Sequence, residues 1–347
     1  MQDRQLRAER LLAAADGALA AGAHGAALER YRQVFAMGLE SWPMHVNAAQ
    51  CLKRQGDLAA AFAHFDRAFA LKRLRPGRSA PREAANPLQL KHLEEQLGWL
   101  ERTGRIAAQP AGGPAALAET CLLRAAPDIP ETMLSERLSV QRIALSGGAG
   151  DAIYVIDNLL SPGALAGLAE QLLGSTFWFD ARAERHYLGA HLHDGLATPF
   201  MLALARAMHA VTERLAGPVR VAQLWAFRYL RESRGIDIHA DQGDWNLNLW
   251  PVSEAFLEPG GQGGMTLWDL RIGADIPFAE YNARPDLNRS RIAAAGAAAH
   301  QVPYRGNRAV LFPSRYLHRT DAARFSEAFE GRRINVTMMA DRTGDAA

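Results

Sequence analysis

Cysteine and lysine are both scarce in this chain of 347 residues. The two cysteines, Cys51 and Cys121, are too few for a cysteine-based zinc site, and their wide separation favours reduced thiols over a disulfide framework. The only lysines are Lys53, Lys72 and Lys91, all in the first third of the chain. Lysine-linked cofactor chemistry is therefore excluded from everything that follows them.

Long hydrophobic runs and a strong charge of one sign are also missing. No apolar run reaches the roughly 18–20 residues that cross a bilayer, and the N-terminus lacks the apolar block of a signal peptide. The net charge is only +2, which argues against an extended phosphate-binding surface. We therefore expect a cytoplasmic protein that has neither a membrane nor a nucleic-acid partner.

The first part of the chain has a helical pattern with an internal echo. Four positions recur with a displacement of 34 residues: Gly22 as Gly56, Ala27 as Ala61, Tyr31 as Phe65, and Val34 as Ala68. This period, with small and aromatic positions on the second helix of each pair, resembles the tetratricopeptide repeat. An ordinary alanine-rich helical hairpin is the alternative.

The pattern of prolines suggests where domains end. We predict a helical domain at 1–104, a linker at 105–137 and a β-rich domain at 138–347. Prolines make 74–87 and 107–116 typical of flexible joints, so the two halves are expected to be separable. The helical domain would recognise substrate, bind a protein partner or form a homodimer.

The second half changes to short strand-like runs with turns between them. Amphipathic helices are predicted at 162–174 and 198–215. Strands are predicted at 152–160, 186–192, 221–230, 236–241, 245–250, 264–270, 307–313 and 332–340. Many short strands behind covering helices indicate an α+β chain whose second domain is a β-sandwich or jelly roll.

The strongest functional signal is His239-Ala240-Asp241, with His318 following 77 residues after the aspartate. Alternate residues of a strand share a face, so His239 and Asp241 can both point inward. Two imidazoles and one carboxylate are the ligand set of non-haem Fe(II) oxygenases. His318 follows the strand at 307–313 and a short turn, and it completes the set only if that strand lies beside the first.

Arg333 stands near the start of the last apolar segment, on the same face as Asn335 and Thr337. A buried arginine is costly without an anion, and the far carboxylate of a keto acid such as 2-oxoglutarate would satisfy it with a bidentate fork. The alternatives are an internal acid as its partner, or a register in which Arg332 faces inward instead.

Three segments together resemble the prolyl-hydroxylase-like 2-oxoglutarate/Fe(II) oxygenases: FRYLRESRGIDIHAD, NRAVLFPSRYLHRTD and RRINVTMM. The resemblance covers about 150–340 and implies a double-stranded β-helix, of the jelly-roll or cupin-like kind, with Fe(II), 2-oxoglutarate and O₂. It implies His239, Asp241 and His318 as metal ligands. Co-substrate contacts are implied at Arg333, Tyr229, Asn335, and Asn246 or Asn248. The segment 245–269 is similar to a bacterial subgroup with tetratricopeptide-like repeats.

Two departures from the family pattern matter. The span from His318 to Arg333 is long, so an inserted loop, DAARFSEAFEG, must be accommodated. Asp241 is retained, whereas halogenating relatives replace that carboxylate with a small residue. Hydroxylation or another oxidation is therefore favoured over halogenation.

The sequence contains other, weaker candidate sites. His191 and His193 form an alternative H-x-H pair with no third ligand placed by pattern. The segment GGQGG (260–264) lacks the lysine of a phosphate loop and is expected to be a turn at the rim of the site. Four further residues are candidate substrate contacts: Trp245, Trp250, Trp268 and Arg228. For the tryptophans, core packing is the alternative.

The sequence therefore predicts an oxygenase that converts 2-oxoglutarate to succinate and CO₂ while oxidising a peptide, a carrier-bound group or a small molecule. The alternative from another class is a repeat-based binding module whose metal-binding barrel is catalytically idle.

Overall fold

The computed structural model describes residues 2–73, 86–118, 121 and 123–343. Most of the predicted joint at 74–87 therefore lies outside the described residues. Within them, no helix has the length and apolarity needed to span a membrane.

Helices occupy most of the described part of the first 118 positions. They are α1 (Gln2–Ala20), α2 (His24–Ala36), α3 (Trp42–Arg54), α4 (Leu58–Arg73), α5 (Pro87–Arg102) and the short α6 (Gly113–Leu117). Later helices are α7 (Pro162–Gly174), α8 (Pro199–Ala216), α9 (Phe278–Ala283) and α10 (Pro285–Ala295). The predicted helices at 162–174 and 198–215 are thus present, and the Ser161 hydroxyl caps α7 by accepting from the Ala164 amide at 3.2 Å.

Strands fill the second half of the chain, with the helices α7 to α10 between them. In order they are β1 (Ser139–Ala144), β2 (Ala152–Asp157), β3 (Asp180–Arg182), β4 (Tyr187–His191), β5 (Val219–Tyr229), β6 (Glu232–Ser233), β7 (Ile236–His239), β8 (Trp245–Trp250), β9 (Met265–Arg271), β10 (Ala299–Val302), β11 (Arg308–Pro313), β12 (Tyr316–Thr320), β13 (Ala323–Arg324) and β14 (Ile334–Arg342).

Twelve of the strands form two facing antiparallel sheets, and β6 pairs separately with β13. The larger has the order β1-β2-β11-β8-β14-β5-β4-β3, and the smaller has the order β10-β9-β12-β7. From β5 onward the chain passes back and forth between the sheets: β5, β8, β11 and β14 lie in the larger, and β7, β9, β10 and β12 in the smaller. The predicted combination of helices with antiparallel sheets is confirmed. The order in which the chain alternates between the two sheets is that of a double-stranded β-helix.

The central strands β8 and β14 of the larger sheet are buried on both faces because helices cover its outer side. On β8, Leu247 and Leu249 join the apolar cluster that includes α7 and α8, while Asn246 and Asn248 point between the two sheets. The smaller sheet is covered on its outside by α9 and α10, which the sequence did not predict. Tyr281 of α9 packs there with Ile238 of β7.

The N-terminal helices are joined to the barrel by a continuous core. One apolar cluster runs from Ala15 of α1 to Ala340 of β14. Lys53, which is buried, donates to the Ala222 carbonyl of β5, and burial followed by the Arg54 charge lowers the pKa of Lys53 to about 8. A buried ammonium group needs a hydrogen-bond acceptor, and Lys53 finds one on the other side of this junction.

The 34-residue echo corresponds to two helical hairpins, α1–α2 and α3–α4. Tyr31 and Phe65 are buried at matching places, and Gly22 and Gly56 both have positive φ at the turns. The positive φ explains why glycine recurs there, since other residues adopt it at a cost. The assignment to tetratricopeptide repeats and the domain boundary at 104 remain proposals.

Deleting residues 1–104 is expected to leave a fragment that aggregates or unfolds at a much lower temperature. The deletion removes Gln96, whose buried amide donates to the Leu173 and Ser175 carbonyls at 2.9 and 2.8 Å, and exposes the core beneath it. Soluble yield and thermal unfolding measure this. A soluble fragment that unfolds cooperatively near the temperature of the full chain would show that the halves are separable, as the linker pattern suggested.

Candidate metal centre

Two histidines and one aspartate converge between the two sheets. His239 ends β7 and lies directly across from His318 on β12 in the antiparallel register. Asp241 lies just past the end of β7, with its Oδ1 3.8 Å from His239 Nε2 and its Oδ2 3.4 Å from His318 Nε2. The three ligand atoms all lie within 4.8 Å of one another. The structure thus brings the three predicted residues together, although His318 belongs to β12 and β11 lies in the opposite sheet.

Both imidazoles are held with the same nitrogen facing the centre. His239 Nδ1 donates to the Asp237 carbonyl at 2.7 Å, and His318 Nδ1 donates to the Tyr316 carbonyl at 2.9 Å. A proton on Nδ1 leaves Nε2 with a free electron pair, which is the form that binds a metal. The backbone alone therefore sets the tautomer of both rings.

The close approach of β7 to β12 depends on Gly235. Its φ is +75°, and a Cβ there would lie 2.0 Å from the Thr320 carbonyl oxygen. Any larger residue would push the start of β7 away from β12 and so separate His239 from His318.

A chain of amides leads away from the Asp241 carboxylate across the larger sheet. Asn246 Nδ2 donates to Asp241 Oδ2 at 2.6 Å, Asn248 Nδ2 donates to Asn246 Oδ1 at 3.0 Å, and Asn335 Nδ2 donates to Asn248 Oδ1 at 2.9 Å. Every dipole in the chain points toward the carboxylate, which stabilises its negative charge. Burial alone would raise the pKa of Asp241, but the two histidines in their protonated, metal-free form and the amide of Asn246 outweigh burial, so the pKa is lowered.

This donor set suits a divalent transition metal. Two neutral imidazoles and an ionised carboxylate on one side of an ion are the three-ligand arrangement of non-haem Fe(II) sites, and they leave positions open. Within the described residues it is the one such cluster of three. The alternative pair does not form a site: His191 Nε2 contacts Asp180 Oδ2 at 3.2 Å, and His193 Nε2 lies 3.5 Å from Asp194 Oδ2.

Arg333 lines the same cavity as the three ligands. It is 1% exposed, and its Nε and Nη1 have no hydrogen-bond partner. The guanidinium carbon lies 4.7 Å from the ring centre of Tyr229 and 5.7 Å from that of Trp250. Within the described residues no carboxylate pairs with Arg333, although burying a guanidinium without a counter-charge is costly.

The arginine register follows the sequence prediction. Arg333 faces the cavity with Asn335 and Thr337, whereas the neighbouring Arg332 faces outward and pairs with Glu95 of α5 at 2.5 Å. Tyr229 is not among the cavity-lining residues. It lies behind Arg333, against the flat face of the guanidinium.

Three of the four predicted substrate contacts lie elsewhere, and only Trp250 lines the cavity. Trp245 faces the helices on the other side of β8, and Trp268 packs outward toward α9 and α10. Arg228 is buried on the outer face of β5, where it donates to the Phe329 carbonyl and lies 4.0 Å from that ring. All three side chains point away from the cavity. Side chains alternate between the two faces of a strand, and in each case it is the adjacent residue that points inward.

The cavity is large, about 940 Å³, and several of its lining residues were not predicted. They include Tyr187 on β4, Trp225 and Phe227 on β5, and Arg319 on β12. The alternation of WAFRY could have identified Trp225 and Phe227, since they share a face with Tyr229.

The chain matches no protein-family model and no curated protein. Among solved structures, it is similar to the non-heme alpha ketoglutarate dependent epimerase SnoN from nogalamycin biosynthesis, at 18% identity and a TM-score of 0.41 over 57% of this chain and 84% of that one. HygX from Streptomyces hygroscopicus, with nickel, 2-oxoglutarate and hygromycin B bound, is 13% identical with a TM-score of 0.40 over 56% and 84%.

A third similar structure is EctD from S. alaskensis with 2-oxoglutarate and 5-hydroxyectoine, at 12% identity and a TM-score of 0.37 over 64% of this chain and 83% of that one.

Proposed function

We propose that this chain is an Fe(II)- and 2-oxoglutarate-dependent oxygenase. One observation carries the proposal: the His239, Asp241 and His318 cluster shares a cavity with a buried arginine that has no carboxylate partner among the described residues. The cluster would hold a metal, and the arginine calls for an anion nearby. A keto acid with a second carboxylate meets both requirements in a single molecule.

Each residue then has a defined part. His239, Asp241 and His318 would hold Fe(II) through Nε2, a carboxylate oxygen and Nε2. Arg333 would fix the far carboxylate of 2-oxoglutarate, while Tyr229 and Trp250 keep the guanidinium in place by packing on it. The amide chain of Asn246, Asn248 and Asn335 would orient Asp241 and keep it ionised. Its main part would be this support of Asp241, and contact with 2-oxoglutarate would be secondary.

Bound iron would supply the activation of O₂, in which 2-oxoglutarate loses CO₂ to become succinate and one oxygen atom remains for the substrate. The protein's own part is to leave positions open beside three ligands, to exclude water and to orient the substrate. Because Asp241 keeps its carboxylate, we propose hydroxylation as the outcome, with a small molecule, a carrier-bound group or a peptide as substrate. The helical domain would recognise that substrate or a protein partner.

The proposal is tested by the products of 2-oxoglutarate. The full-length protein with Fe(II), O₂ and 2-oxoglutarate is expected to form succinate slowly even without substrate. Removing iron with a chelator should stop succinate formation, and adding Fe(II) back should restore it. Iron binding without any succinate, under conditions where Arg333 is intact, would instead favour the idle binding module.

We expect helix α5 to influence the affinity for 2-oxoglutarate, although the helix lies outside the cavity. Glu95 forms an ion pair with Arg332, the residue before Arg333. The rings of His92 and Trp99 on α5 pack against Phe329, with centroid distances of 5.6 and 5.5 Å. Glu95→Gln should raise the Kd for 2-oxoglutarate several-fold and cost about 1 kcal/mol of stability, because the ion pair is only partly shielded from solvent.

The matched control is Glu94→Gln, the same substitution at the exposed neighbouring position. It should leave the Kd for 2-oxoglutarate unchanged. Equal Kd values for the Glu95 and Glu94 variants, measured by titration of the iron-loaded protein, would show that α5 does not position Arg333.

A further inference from the structure

One wall of the metal-centre cavity is formed by aromatic rings that take no part in holding a metal or an anion. We call Tyr187 of β4 with Trp225 and Phe227 of β5 the aromatic ledge. All three line the cavity. The rings of Tyr187 and Phe227 have centroids 4.5 Å apart at an interplanar angle of 32°, and those of Trp225 and Phe227 are 6.0 Å apart at 47°.

Trp225 and Phe227 give the ledge apolar surface that the core of the protein does not use. Trp225 and Phe227 are only half-buried, and neither belongs to any of the three apolar core clusters found in the described part of the chain. Aromatic side chains in a globular protein usually dominate its core. Apolar rings that instead line a concave cavity are typical of a binding surface.

The register of the sheet places the ledge next to the metal centre. Phe227 pairs with Asn335 and Trp225 with Thr337 between β5 and β14, and Thr337 pairs with Asn248 on β8. Neighbouring strands are about 4.8 Å apart, so the ledge begins about 10 Å from the strand whose amides reach Asp241. A molecule of two or three fused rings can bridge that distance.

Gly189 of β4 leaves room at one edge of the ledge. It pairs with Phe227 and alternates with Tyr187, so it lies on the same face. A Cβ at Gly189 would lie 3.2 Å from Asp180 Cβ and 3.3 Å from His191 Nε2, tighter than ordinary contacts. The side chains of Asp180 and His191 therefore border the ledge beside Phe227.

We propose that the aromatic ledge binds a flat, apolar ring system of at least two fused rings, and that this ring system is part of the substrate. The inference rests on the proposed function, because it is the neighbouring metal centre that would oxidise the bound molecule. Stacking explains why flat rings are selected: parallel and tilted ring faces attract one another beyond what the buried area alone provides.

A matched pair of neutral probes tests the ledge. The full-length protein is titrated calorimetrically with 2-naphthylmethanol and with its saturated counterpart, decahydro-2-naphthylmethanol. The expected result is a Kd at least about fivefold lower for the flat probe. The saturated probe is the more hydrophobic of the two, so a cavity that recognised only apolar surface would prefer it.

Substitutions identify the residues involved. Trp225→Leu and Phe227→Leu should each raise the Kd for the flat probe by roughly three- to tenfold and leave the Kd for the saturated probe nearly unchanged. Trp225→Phe keeps a ring and should retain most of the preference, so it remains informative if the leucine variant folds poorly. Trp42→Leu, at an exposed tryptophan of α3, is the control and should change neither Kd.

Each outcome bears on one proposal. Equal or tighter binding of the saturated probe, or the same loss from Trp42→Leu as from Trp225→Leu, overturns the ledge. The titration needs no iron, because the ledge is formed by the packing of β4 and β5. A flat-probe preference in a protein that forms no succinate would leave the ledge standing and refute the oxygenase. Succinate formation by a protein that does not prefer the flat probe would support the oxygenase and refute the ledge.

Discussion

Asp241→Ala and His318→Ala are each expected to reduce succinate formation below detection. Each variant removes one of only three protein ligands, and two ligands cannot hold Fe(II) in a defined position. The loss should exceed the roughly 10- to 100-fold that follows when a hydrogen-bond partner of a ligand is removed. Succinate formation from 2-oxoglutarate with added Fe(II) is the measurement, and thermal unfolding checks that the metal-free fold is intact.

The control for this pair is Asp237→Ala. Asp237 is exposed, and its carboxylate pairs with Arg289 at 2.9 Å, so only its backbone carbonyl supports His239. Its alanine variant should keep turnover within about twofold, since the backbone is unchanged. Near-wild-type succinate formation by Asp241→Ala or His318→Ala would show that the residue is not a ligand.

Arg333→Ala is expected to raise the Kd for 2-oxoglutarate by roughly one to two decades. Losing a charged hydrogen-bond partner costs about 1.5–3 kcal/mol, and every 1.4 kcal/mol is tenfold in affinity. Arg333→Lys should fall between the alanine variant and the wild type, because it keeps the charge and loses the planar fork. Titration of the iron-loaded protein with 2-oxoglutarate in the absence of oxygen gives these constants.

Arg234 provides the matched control for this effect. It also lines the cavity, but it is exposed to solvent. Arg234→Ala removes the same charge from the rim and should change the Kd for 2-oxoglutarate by less than about threefold, because solvent screens it. Similar effects at Arg234 and Arg333 would mean that the cavity attracts the anion by its overall charge and that Arg333 is not its specific partner.

The shared orientation of the proposed ligands His239 and Asp241 could be predicted from the sequence because alternation along a strand is a local property. His239 and Asp241 are two residues apart, and Arg333, Asn335 and Thr337 follow the same spacing, so each set shares a face wherever its strand lies. The position of His318 depended on which strand became its neighbour. Its own strand, β12, and the pairing of β12 with β7 appeared only in the structure.

The tryptophans show where sequence reasoning stops. Strand β8 is buried on both faces, so its residues give no contrast between a buried and an exposed side. Its asparagines point into the cavity and its leucines toward the helices, which reverses the usual expectation that polar residues face outward. Trp245 and Trp250 therefore lie on opposite faces, and composition alone could not tell which one meets the cavity.

The attachment of the N-terminal helices to the barrel could not be predicted from the sequence either. The proline-rich segment 74–87 is typical of a joint between separable parts. The structure instead joins α5 to the start of β14 through Glu95 and Arg332, two residues far apart in the chain. Contacts of this kind depend on tertiary packing, which local patterns do not encode.

The central claim is that His239, Asp241 and His318 hold Fe(II) with open positions for a keto acid fixed by Arg333. The most direct measurement is the visible absorption of the full-length protein mixed with Fe(II) and 2-oxoglutarate without oxygen. A weak charge-transfer band that saturates near one iron per chain is expected, and it should be absent from Asp241→Ala. A wild-type protein that shows no band and binds no stoichiometric iron would contradict the claim.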